Sequence, residues 1–138
     1  MSGNNPASDF ADRLRQYGIF PTGQRLAIAQ ALLIRHQHVT ADQLFGMLRE
    51  NGEKVSKATV YNTLNLFADK GLIREILVDP AHVYFDSNNT PHHHFYNVDE
   101  GVLFDSGSPL CELLPSIRLP QGTVLDEVNV VIKIRNCT

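Results

Sequence analysis

The stretch SKATVYNTLNLFADKGLI, residues 56–73, decides the fold. The Ser56 hydroxyl can accept from an orphan backbone N–H in the first turn of a helix, and Gly71 can take the left-handed conformation that stops one. Between them Val60, Leu64, Phe67 and Ala68 recur at helical spacing as an apolar stripe. Ala58, Asn62, Asn65 and Asp69 fall on the far side, with Thr59 and Tyr61 on its flanks. That far side is small and uncharged near the N-terminus, as a helix entering a major groove requires. Short or planar groups reach base edges there, a ring can touch a thymine methyl, and cations such as Lys57 lie further out for phosphates. An ordinary surface helix would show the same polar face, so its neighbours must decide.

The chain has 138 residues, enough for one domain or for two small ones that share a core through an oligomer interface. Hydrophobic residues make up 43% of it. No apolar run approaches the roughly 18 residues of a membrane span, and the N-terminal MSGNNPASDF lacks the basic and apolar regions of a signal peptide. A cytoplasmic protein without a membrane partner is expected. Cys111 and Cys137 form no C-x-x-C pair, and no disulfide framework is expected. The net charge of −3 speaks against indiscriminate coating of nucleic acid. Charge is uneven, however, with nine Lys/Arg against eight Asp/Glu through residue 80 and three against seven beyond it. A near-neutral half contacting DNA and an acidic half attracting cations or partners fit that distribution.

Residues 1–7 read as a frayed leader. Ser8 then opens a short helix with Phe10, Leu14 and Tyr17 on one face and Arg13 and Arg15 on another, ended by Gly18. Thr22 caps a second helix, whose Leu26, Ala29, Leu32 and Leu33 face inward. Arg25 in its first turn opposes the helix dipole, which a phosphate or a neighbouring carboxylate would offset. After the loop Arg35–His38, Thr40 and Gln43 have the form of a capping box, and Val39 and Leu44 that of a hydrophobic staple. The third helix runs to about Glu50, burying Leu44, Phe45 and Leu48, and Asn51-Gly52 breaks it before Ser56. Two helices in this order make a helix-turn-helix. Leu72–Val78 and His82–Asp86, around the turn Asp79-Pro80-Ala81, read as a hairpin and hence as a wing, whose Arg74 could touch a backbone phosphate.

Ser87–Pro91 is polar and turn-rich, the best boundary in the chain. Beyond it, Pro91–Val98 and Val102–Asp105 read as strands around Asp99-Glu100-Gly101, Leu110–Leu114 as a helical turn, and Val128–Arg135 as a strand with Val128, Val130, Ile132 and Ile134 on one face. So small a part cannot easily bury enough surface alone and is expected to pair with a second copy.

On a strand His92 and His94 share one face while His93 points to the other. If Glu100-Gly101 is a two-residue turn, Asp105 falls opposite Tyr96, on the face of His92 and His94. With His38 from the preceding loop and Asp86 at the end of the wing, these residues make a mixed nitrogen/oxygen site suited to Zn²⁺, Fe²⁺ or Mn²⁺. Three solvated histidines at a domain boundary would read the same way.

Pro21-Thr22-x-Gln24-Arg25-Leu26, His38-Val39-Thr40-Ala41-Asp42-Gln43-Leu44, Ala58-Thr59-Val60-Tyr61-Asn62-Thr63-Leu64, Gly71-Leu72-Ile73 and the histidine triplet together resemble the ferric uptake regulator family in order and spacing, from about residue 10 to 105. The resemblance implies a homodimeric metal-responsive transcription factor with a winged-helix domain, a hinge and an α/β dimerisation domain. It makes Tyr61 the base-contacting aromatic, followed by Asn62 where the family usually has arginine. It maps a hinge sensory site onto His38, Asp86, His92, His94 and Asp105. The family's structural zinc uses two C-x-x-C pairs, the first of which falls on Asn97 and Glu100 here, so that a structural zinc held by four cysteines is expected to be absent. A further site maps onto His93 and Glu112, with Pro91 in place of a histidine and nothing near Val128 to coordinate. Val83–Asp86 through Tyr96, without zinc cysteines, is most similar to the iron response regulator branch, which implies haem at His92, His93 and His94.

The expected fold is therefore α+β, with an N-terminal winged helix-turn-helix domain over residues 1–86, a hinge at 87–91 and a small α/β dimerisation domain over 92–138. The expected protein is a homodimeric, sequence-specific transcriptional regulator, a repressor rather than an activator, responding to iron, haem or another divalent metal. It would bind double-stranded DNA at a pseudo-palindromic operator through Arg13, Arg15, Arg25, Lys57, Thr59, Tyr61 and Asn62. Two rivals remain: a small metalloenzyme using the histidine cluster, for which no general base is evident, and a winged-helix protein with no metal response.

Overall fold

A computed structural model describes residues 6–90, 92–106 and 117–137. Among them are four helices, α1 (Pro6–Gln16), α2 (Gly23–Leu33), α3 (Ala41–Glu50) and α4 (Lys57–Asp69). The strands are β1 (His38–Val39), β2 (Arg74–Asp79), β3 (His82–Asp86), β4 (His94–Asn97), β5 (Val102–Asp105) and β6 (Val131–Ile134). The chain divides into two compact units, Met1–Asn89 and Thr90–Thr138.

In the first unit both ends of α4 are closed by local chemistry. Ser56 Oγ accepts from the Thr59 backbone N–H at 3.1 Å. At the other end Gly71 sits at φ +82°, so that its own N–H reaches Ala68 O at 3.0 Å and that of Leu72 reaches Phe67 O at 2.9 Å. These two bonds satisfy carbonyls the helix leaves open, and only a residue without Cβ adopts that φ cheaply. Thr40 and Gln43 form the reciprocal capping box at the start of α3, and Val39 and Leu44 are both buried beside it.

Val60, Leu64 and Phe67 of α4 meet Leu14 of α1, Ile28 and Leu32 of α2, and Leu44 and Leu48 of α3 in one buried cluster. Burial departs from the sequence reading at several side chains, among them Phe45 of α3, which is only partly buried. On α2 it is Ile28 that is fully buried while Leu26 is only partly so, and on α4 Thr63 joins the buried face. Helix α1 also starts before Ser8, at Pro6. Proline is well suited to a first helical position, where its missing N–H would have had no partner.

The wing is a three-stranded antiparallel sheet in the order β1-β3-β2. Strand β1 replaces the expected loop; a two-residue strand carries no periodicity of its own. Leu72 and Ile73 precede β2 rather than belonging to it, and both are buried. Arg74 is buried too, which corrects the expectation that it meets a phosphate.

The second unit holds a sheet in the order β5-β4-β6, with β4 antiparallel to β5 and parallel to β6. The connection from β4 to β5 is a four-residue loop, 98–101, and not the two-residue turn expected. Asn97 Oδ1 accepts from the N–H groups of Asp99 and Glu100 at 2.9 and 3.1 Å, and Gly101, at φ +66°, closes the loop onto Asn97 O. Asp105 consequently pairs with His94 instead of Tyr96; the shift is an even number of residues, so its face is unchanged. Asn97 Nδ2 also donates to Asn136 Oδ1 at 2.8 Å, and Asp99 Oδ2 accepts from Asn136 N at 2.8 Å, fastening the loop to the segment after β6. Strand β6 spans four residues rather than the eight expected. The helical turn expected at Leu110–Leu114 lies outside the described residues. No helix among the described residues is long and apolar enough to cross a membrane.

Replacing Ser56 by Ala removes an N-cap and is expected to cost about 1 kcal/mol of stability in urea unfolding. An unchanged midpoint would mean that some other group caps α4.

Candidate functional site

Pairing of β1 with β3 sets His38 opposite Asp86. Asp86 is 0% exposed. Burying a carboxylate costs several kcal/mol unless its oxygens are satisfied, and here they are. Its Oδ2 accepts from His38 Nε2 at 3.1 Å, and Oδ1 from His36 Nε2 at 3.1 Å and from the Asn88 N–H at 2.9 Å. The pairing continues past the strands, since Ser87 N donates to Gln37 O at 3.1 Å and Gln37 N to Ser87 Oγ at 2.9 Å. That extension keeps the chain extended through His36, so His36 and His38, two residues apart, reach the same carboxylate. His36 was not among the expected ligands. Its alternation with His38 was the available signal, hidden because the segment read as loop.

The second unit contains a cluster of the same composition. Asp105 Oδ1 lies 2.8 Å from His92 Nε2 and 3.1 Å from His94 Nε2, and the two rings lie 4.4 Å apart. His92 Nδ1 donates to the Thr90 carbonyl at 2.7 Å. This fits a metal ligand, because a backbone carbonyl on the far nitrogen fixes the tautomer that leaves Nε2 to coordinate. Imidazole nitrogens and carboxylate oxygens in both clusters suit Fe²⁺, Mn²⁺ or Zn²⁺.

His93 does not join either cluster. It is 2% exposed and packs edge to face on Phe95, and its Nδ1 has no hydrogen-bond partner among the described residues. Glu112, expected beside it, lies outside the described residues.

On the helical face, a depression of about 620 Å³ is lined by Thr22, Gln24 and Arg25 from the start of α2 and by Thr59, Asn62, Thr63 and Leu66 of α4. Three of the expected DNA contacts thus share one surface, and Tyr61 stands 48% exposed on the same helix. Arg25 was expected to need a phosphate or carboxylate, but its Nη1 donates to the Phe20 carbonyl at 2.9 Å. Thr59 Oγ1 accepts from the Ser56 hydroxyl at 2.9 Å, and Lys57 is paired with Asp42 at 2.7 Å. Arg15 is paired with Asp12 at 3.1 Å. Arg13 lines a different groove, with Ala27 of α2 and Met47 of α3.

The sequence profile of the ferric uptake regulator family matches residues 16–130. A peroxide-responsive repressor of Staphylococcus aureus is 36% identical over 96 residues, which is 70% of this chain and 65% of that protein. The chain therefore matches somewhat under two thirds of the length of that relative. Among solved structures, the ferric uptake regulator of Pseudomonas aeruginosa, solved with manganese, is 28% identical with a TM-score of 0.72, over 92% of this chain and 97% of that one. That of Vibrio cholerae is 23% identical with a TM-score of 0.71, over 91% and 98%, a likeness of fold. The chain belongs to the ferric uptake regulator family.

Asp86→Ala is expected to lower stability by about 2 kcal/mol in chelator-containing buffer, because partners of a buried charge are left unmatched. Thermal unfolding measures it, and an unshifted transition would show that the carboxylate contributes nothing to the metal-free fold.

Proposed function

We propose that this chain is a cytoplasmic, homodimeric, DNA-binding transcriptional repressor whose affinity for its operator follows divalent-metal status. The observation that carries this reading is the recurrence of a two-histidine, one-aspartate cluster in each unit of a family member. His38 and Asp86 would act together with His92, His94 and Asp105 as one sensory site, with residues 87–91 as the hinge. The first unit would be the reading head and residues 92–138 the dimerisation part. A bound cation would supply a positive centre among these imidazole nitrogens and carboxylate oxygens. By taking ligands from both units it would favour one hinge angle. It can shift DNA affinity only by as much as it prefers that arrangement.

Two copies would present α4 to successive major grooves of a pseudo-palindromic operator. Tyr61, Thr59 and Asn62 would meet base edges, and Arg25, Lys57, Arg15 and Arg13 the phosphates. Haem is the weaker ligand reading, since His93 and His94 are both buried and His92 is held at both ring nitrogens. Family membership favours a regulator over a metalloenzyme. A peroxide response is the second reading, favoured by the named staphylococcal relative.

The test is a DNA-selection assay on the purified protein with and without Mn²⁺ or Fe²⁺, followed by peroxide challenge of the Fe²⁺ complex. Selection of no sequence under any condition would sink the regulator reading. On the selected site, Tyr61→Ala is expected to relax sequence preference, whereas Arg25→Ala weakens binding to all sequences and flattens the salt slope by about one. His92→Ala with His94→Ala should abolish the metal dependence of binding while leaving thermal unfolding of the metal-free protein in place. A double variant that still responds would move the sensor elsewhere.

A further inference from the structure

We propose that His36 is a metal ligand and that His36, His38 and Asp86 form a donor set able to hold a divalent cation without any ligand from the second unit. The inference rests on the metal-sensing reading above but assigns as a ligand a residue that the five-residue sensory site leaves out.

One ligand atom from each of these three residues lies within 4.8 Å of the others. Donors bonded at about 2.0–2.2 Å to one ion are separated by at most about 4.4 Å, so capture needs only small side-chain movements. Both rings already aim Nε2 at the same carboxylate, His36 at Oδ1 and His38 at Oδ2. A cation entering there would take the place of the ring protons that make those bonds, and the protons would leave to solvent. Asp86 does not depend on His36 for its orientation, because the Asn88 N–H donates to the same Oδ1 at 2.9 Å. A purely orienting role would therefore make His36 redundant.

Exposure separates the two histidines. The His36 side chain is 45% accessible, that of His38 13% and that of Asp86 0%. An ion arriving from solvent meets His36 first and then the buried pair. Two imidazoles and one carboxylate leave further coordination positions open, which the second unit's ligands can fill later. Metal loading then proceeds in two stages, the first confined to the reading head.

The test uses the full chain and Co²⁺, whose visible absorption reports ligation. In H92A/H94A/D105A, one Co²⁺ per chain is expected to remain bound, and adding His36→Ala should lower its affinity at least about tenfold. Pulsed EPR of bound Mn²⁺ should count two directly coordinated imidazoles in the triple variant and one after His36→Ala. An unchanged affinity, or a single imidazole in both, overturns the proposal. Should the triple variant fail to fold, His36→Ala in the otherwise native chain is read by the rate of Co²⁺ loss to excess chelator, expected to rise about tenfold; an equal rate is again fatal. A native chain that binds neither Co²⁺ nor Mn²⁺ would defeat the metal-sensing reading itself, an outcome distinct from the failure of His36 alone.

Discussion

The buried carboxylate of Asp86 is the constraint on which the first unit's chemistry depends. With no water to solvate it, the chain must supply donors from three directions, and it does so from His36, His38 and the Asn88 backbone. Each donor lies where it does because β1 is zipped onto β3 and the pairing runs on through Gln37 and Ser87. The same bonds that close the wing thus bring two imidazoles to one oxygen pair. Structural satisfaction and the proposed metal affinity would be two uses of one arrangement, since a cation could take the place of protons that sit between these groups.

The α4 surface shows a related economy. With a net charge of −3 the protein would have to meet DNA through local cations, and these are partly committed within the fold. Lys57 rests on Asp42 and Arg15 on Asp12, both in exposed pairs. Such pairs contribute little in water, so exchanging the carboxylate for a phosphate costs little and releases counterions from the duplex. Arg25 differs, because its guanidinium holds the Phe20 carbonyl and so is fixed beside the start of α2 before any DNA arrives. Its remaining donors are presented from a rigid base.

In the second unit the position where the family carries its first zinc cysteine pair is occupied by Asn97 and Glu100. Asn97 uses its oxygen to shape the loop into β5 and its nitrogen to hold Asn136, while Asp99 takes the Asn136 N–H. A hydrogen-bonded clasp fastens the loop to the segment after β6 with groups that need no ion. The loop's length in turn sets the register that brings Asp105 to His94.

What the sequence by itself determined is whatever its chemistry settles within a few residues. The caps at Thr22, Ser56 and Gly71 and the box at Thr40 and Gln43 are interactions over three to five positions, so composition and spacing suffice to read them. The apolar stripe of α4 was legible for the same reason, and the alternation of the histidine triplet together with the family resemblance made His38, Asp86, His92, His94 and Asp105 the expected ligands. Only the tertiary structure decided the role of His36, the burial of Arg74 and the partner of Asp105. His36 needs a strand some fifty residues away to give it a face. Arg74 is buried where the pairing of β2 with β3 sets it opposite Asp86, and Asp105 finds His94 because a loop of four residues, not two, joins their strands. Strand pairing over long separations leaves no periodic trace in a two-residue strand or a short loop, and that is where reading stopped and folding had to answer.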